Sequence, residues 1–141
     1  MAFGGLNYLA VLAAAVASFA FGALWYGLLG KPWMAALGKT KDELMGPEGK
    51  PPVAQMLKSL IAALIMAWVL AGLIGHLGPG RVTPLNGIIS AGFVWLGFVA
   101  TTLTVNHGYQ RAKTALTLID GGHWLGVLLI QGLIIGLFGG R

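Results

Sequence analysis

The sequence predicts an all-α integral membrane protein, a compact bundle of four transmembrane helices forming one domain over residues 1–141. Three observations carry this reading. Four apolar stretches, approximately Leu6–Leu29, Leu57–Leu77, Leu85–Asn106 and Thr114–Phe138, account for almost the whole chain. Each reaches the ~20 residues needed to cross ~30 Å of hydrocarbon. Hydrophobic residues make up 57% and charged residues 9%, against ~25% charged in soluble domains, so a soluble surface could not be covered. The stretches also leave no segment long enough to fold elsewhere.

The first stretch has small residues at Ala13, Ala15 and Ala17 that mimic a leader cleavage site. No Lys or Arg precedes it, however, and it is too long for a secretory leader. Its positive charge follows at Lys31, the pattern of an uncleaved span inserted with its N-terminus outside. Lys31, Lys39, Lys41, Lys50, Lys58, Arg111 and Lys113 flank one side of the predicted membrane, and only Arg81 and Arg141 the other. The positive-inside rule then places loops one and three in the cytoplasm and both termini outside. The expected location is a bacterial inner membrane, crossed several times.

The net charge of +5 does not point to nucleic acid. The basic residues sit in short loops rather than in a patch interleaved with aromatics, where they set topology and meet anionic lipid heads. Lipid is therefore the expected partner. The chain has no cysteine, which excludes disulfides, thiol catalysis and Cys-type metal sites.

The loop after span one is the only sizeable extramembrane segment. Gly30-Lys31-Pro32 breaks span one, and Pro32 suits the first turn of a new helix. Trp33, Met34 and Leu37 fall on one side of a short helix suited to the membrane surface. Thr40-Lys41-Asp42-Glu43 reads as a capping box, and Gly46 to Pro52 as a turn-rich linker. The loop reads as a solvated connection with interfacial anchors, or as a docking platform.

Small residues mark where helices approach one another, because in lipid close backbone contact replaces hydrophobic burial as the driving force. Span two has an unbroken ladder of Ser59, Ala63, Ala67, Ala71 and Gly75. Span one offers Ala10, Ala13, Ala14 and Ala17, and span three Gly87, Ser90, Ala91 and Thr101. Span four carries Gly122, Gly126, Gly132 and Gly136 on more than one side, room for two neighbours. Trp25, Tyr26 and Trp33 cluster near the cytoplasmic boundary and read as interfacial anchors. Trp68, Trp95 and Trp124 lie inside their spans, where an indole N–H needs a partner from the bundle.

Asp120 is the foremost site candidate. It lies about 10 Å into span four at ~1.5 Å per residue, where a carboxylate costs about 2.5–3.5 kcal/mol on insertion scales. Lys113, Thr117, His123 and Gln131 share its face and make a polar stripe. Asn106 and His107 of span three are placed to look across at it. Three readings compete. Asp120 is a structural pin neutralised by Lys58, Lys113 or Arg111; or, with His123, it binds or relays a proton or cation; or it holds a polar head group. Its expected partners are Lys58, Lys113, Thr117 and Asn106. Three scattered histidines make no metal site. No hydrolase, phosphate-loop or dinucleotide motif is present, so no catalytic residue or cofactor is implied.

The run Trp25-Tyr26-Gly27-Leu28-Leu29-Gly30-Lys31-Pro32-Trp33 resembles the signature of a family of small bacterial membrane proteins, domain of unknown function 1761. The turn Gly38-Lys39-Thr40 and the run Gly121-Gly122-His123-Trp124 are similar in style to that family. The resemblance implies a four-helix membrane protein over the whole chain and carries no activity with it. A faint internal echo pairs Leu6-Asn7 with Leu85-Asn86, and Phe19 and Leu24 with Phe98 and Leu103, as in parallel repeats of some transporters.

The function expected first is a structural or accessory bundle that self-associates or packs on a larger membrane complex. The alternative is a transporter or channel for a proton, cation or small amphiphile using the span-four stripe. An embedded enzyme comes third.

Overall fold

The computed structural model describes residues 5–139. Arg141, one of the two basic residues assigned to the outer side, lies outside them. The described chain is helical, without strands. Span one is α1 (Tyr8–Leu28) and span two α4 (Val53–Gly75). Span three runs Pro84–Tyr109 as α5 (Pro84–Val94), a π-helical turn (Trp95–Ala100) and α6 (Thr101–Tyr109). Span four is α7 (Thr114–Phe138). All four are long and apolar enough to cross a membrane. The first loop carries α2 (Gly30–Leu37), the single turn α3 (Lys41–Leu44) and a 3-10 turn at Pro47–Gly49.

Local sequence explains the helix boundaries. Asn7 caps α1 by accepting from the Ala10 amide, and Thr83 caps α5 from the Asn86 amide, with Pro84 at the first turn where no amide hydrogen is needed. The Thr40 capping box forms in full: Glu43 Oε2 accepts from the Thr40 amide at 2.7 Å, and Thr40 Oγ1 accepts from the Glu43 amide. The echo between the halves does not survive at this level. Asn7 is a cap, whereas Asn86 lies inside its helix and donates to the Arg81 carbonyl.

Span four is the hub. α7 packs along α1 on one side and along α5 on another, and α1 packs in turn against α4. The glycines of span four divide between the two neighbours. Gly122 lies under the Trp25 ring and Gly126 under the Phe21 ring, so both face α1. Gly132 and Gly136 face α5: a Cβ on Gly132 would run into the Gly87 carbonyl, and one on Gly136 into the Thr83 carbonyl. The backbones therefore touch at Gly87–Gly132, a contact open only to glycine on both sides.

In span two, Ala63, Ala67 and Ala71 are buried in the core with Leu70 and Ile74. The expected ladder is shorter than its sequence pattern. Ser59 is exposed and returns its hydroxyl to the Gln55 carbonyl of its own helix, and Gly75 is only half-buried against Leu6.

Span three is bound to the bundle mainly by its first half. Gly87 and Ala91 are its buried residues; none lies in the π turn or in α6.

Candidate functional site

The N-terminal half of α7 collects most of the polar side chains. Asp120 Oδ1 accepts a 2.8 Å hydrogen bond from the Tyr26 hydroxyl. One position earlier on each helix, Trp25 Nε1 donates to the Ile119 carbonyl at 3.1 Å. Two aromatic donors at the end of α1 thus engage consecutive positions of α7. Trp25 and Tyr26, expected as interfacial anchors, are half-buried and pin span one to span four. Trp33 of α2 sets its ring edge on Tyr26, with centroids 5.2 Å apart.

Of the expected partners of Asp120, two are engaged elsewhere and two are exposed. Lys113 Nζ donates to the Ala35 carbonyl at 3.3 Å, tying α2 to the start of α7. Thr117 Oγ1 pairs with His107 Nδ1 at 2.9 Å. Asn106 and Lys58 are exposed. The reason is geometric: Asp120 looks toward α1, whereas the row through Thr117 looks toward α6.

The stripe on α7 therefore divides into separate stations. Thr117 meets span three, and Asp120 meets span one. Gln131 is fully buried, and its Nε2 donates to Ser18 Oγ at 2.9 Å and to the Ala63 carbonyl at 3.0 Å, joining spans one, two and four. The Ser18 hydroxyl in turn donates a hydrogen bond to the Ala15 carbonyl. Such bonds are favoured where no water competes for the same groups.

His123 sits at the centre of an aromatic group. Its ring centroid lies 4.7 Å from Trp124, 4.9 Å from Tyr26 and 6.3 Å from Phe21. Gly22 makes the space: a Cβ there would come within 2.9 Å of His123 Nε2. His123 Nδ1 is buried without a hydrogen-bond partner.

Span three contributes Trp95, whose Nε1 donates to the Gly121 carbonyl at 2.8 Å. Trp95 and His107 both reach α7, yet they lie twelve positions apart, about 120° out of line on a regular helix. The π turn between them takes up one extra residue and restores the alignment to about 20°. No feature of the sequence announced this turn. Thr101, Thr102 and Thr104, just beyond it, are exposed and bond to carbonyls four residues back. Trp68 and His76 are exposed. Among the described residues no three His, Asp or Glu side chains gather as a metal ion would require.

Four membrane-length helices, with polar pins between them, define a multi-pass helical membrane protein. The family model described as protein of unknown function (DUF1761) matches residues 9–136, nearly the whole chain. The chain belongs to this family. No curated protein and no solved structure matches it.

Proposed function

We propose that the protein is a membrane-embedded scaffold of a bacterial inner membrane, with both termini outside, that works by associating through span three. The partner is a second copy in the simplest case, or a helix of a larger membrane complex. One observation carries this reading: beyond Ala91 no residue of span three is buried, while Phe93, Leu96, Phe98, Val105 and Tyr109 are exposed. Gly97 and Gly108 have open space where a side chain would be, which suits close approach of another helix. The polar stations on α7 support the same reading, since Thr117, Asp120 and Gln131 bond to other helices of the bundle.

Cysteine crosslinking in native membranes tests it, on a chain without cysteine of its own. Thr101→Cys is expected to give disulfide-linked dimers, and Leu12→Cys, exposed on span one, is expected not to. Thr101→Cys crosslinked into a heavier mixed product would favour the larger complex over the self-pair. Absence of any crosslink, with a monomer mass in lipid nanodiscs, would overturn the proposal.

A further inference from the structure

We propose that Tyr26, Asp120 and His123 form a reversible proton-binding site inside the membrane-spanning bundle, with His123 as the acceptor and Asp120 as its counter-ion. This inference does not depend on how span three associates. It begins from a half-buried imidazole flanked by the rings of Phe21, Tyr26 and Trp124, in a space that exists because residue 22 is glycine. A phenylalanine would fill that space without a nitrogen to satisfy. The chain instead places a histidine there and leaves its Nδ1 buried and unpaired. An unmade hydrogen bond at a buried polar atom is unfavourable.

Protonation changes the balance. One added proton gives a ring with two N–H donors and a positive charge. Aromatic faces within about 6 Å attract such a cation. Asp120, one helical turn back on the same face, supplies the opposite charge, and Tyr26 occupies only its Oδ1, leaving Oδ2 as an acceptor. No covalent bond is made or broken; a proton is taken up from water and returned to it.

The other titratable groups around the site are accounted for. From α1 it is Tyr26, bonded to Asp120. From α7 it is Asp120, with Lys113 a further two turns back and engaged with Ala35. From α6 it is His107, engaged with Thr117. The α2 side chain that reaches the cluster is Trp33, which is uncharged. Imidazolium at His123 therefore has one carboxylate to answer it.

The test is nitrogen-15 histidine NMR against pH in phosphatidylcholine nanodiscs. His76→Gln and His107→Gln together leave His123 as the only histidine of the three in the chain. The expected result is a single imidazole-to-imidazolium transition on acidification. With Asp120→Asn added, its midpoint is expected to fall by about one pH unit or more. A second reading uses the chain with all its histidines. Protonated imidazole quenches a neighbouring indole, so tryptophan emission should fall with the same midpoint, and His123→Phe should abolish that fall. A His123 that stays neutral to about pH 5, a midpoint unmoved or raised by Asp120→Asn, or an emission change that survives His123→Phe would each overturn the proposal.

Discussion

Gly132 and Gly87 show how much a single hydrogen atom decides in this bundle. A Cβ on Gly132 meets the Gly87 carbonyl, which belongs to backbone and cannot swing aside. Gly132→Ala is expected to destabilise the protein by about 1–3 kcal/mol, the range for overpacking, measured by reversible unfolding in detergent. Gly27→Ala is the control. Nothing lies within 4 Å of its added methyl, and alanine's helix propensity should leave stability unchanged or raise it by up to about 1 kcal/mol. Equal losses from both would remove the special standing of the Gly87–Gly132 contact. Tyr26 is the second residue to test. Its hydroxyl bonds to a carboxylate, and Tyr26→Phe is expected to cost about 1.5–3 kcal/mol by the same measurement. Asp120 itself was legible in the sequence, because a carboxylate inside an apolar run stands out. Its partner was not. Tyr26 is 94 positions away, and an aromatic pair at the end of a span has the same signature whether it faces lipid heads or a neighbouring helix.

At the scale of elements, hydropathy located the spans well. The limits expected for span four coincide with those of α7, and the others differ by a few residues at their ends. Capping chemistry was equally readable, since Thr40 and Glu43 stand at the spacing their reciprocal bonds require. The π turn was not readable, because it answers a demand set by another helix: Trp95 and His107 must both find α7. The α3 turn offers a test by pH. The Thr40 amide, and then its hydroxyl, hold the Glu43 carboxyl below its ordinary range. A depressed carboxyl contributes its stabilisation above the unfolded-state pKa and loses it as pH falls through the folded one. The turn should therefore be intact near neutrality and loosen below about pH 4. Backbone chemical shifts of residues 40–44 report this directly, and shifts that do not move on acidification would count against the cap. Glu43 is fully exposed, so the change should stay within the turn.

For the whole molecule, the arrangement around α7 gives each span a different role. Spans one and three grip the hub through separate glycine pairs, and span two packs mainly on span one and meets the hub directly where Gln131 donates to the Ala63 carbonyl. Orientation in the bilayer is the property most open to direct measurement. With seven basic residues on one side, Pro47→Cys should be shielded from an impermeant thiol reagent added outside intact cells and react once the membrane is opened. Labelling from outside would reverse the proposed topology. The π turn has a last consequence, for how this chain can change in length. Removing one residue anywhere in a regular helix turns everything beyond it by about 100°, so a deletion in α1, α4 or α7 would carry the packing stripe out of its groove. Between Leu96 and Val99 the surplus residue is already present. Its loss would leave eleven positions between Trp95 and His107, close to three plain turns, with both side chains still directed at α7. Shortening by one residue should be tolerated there and at no other depth in the four spans, so single-residue gaps among related chains should gather at this turn.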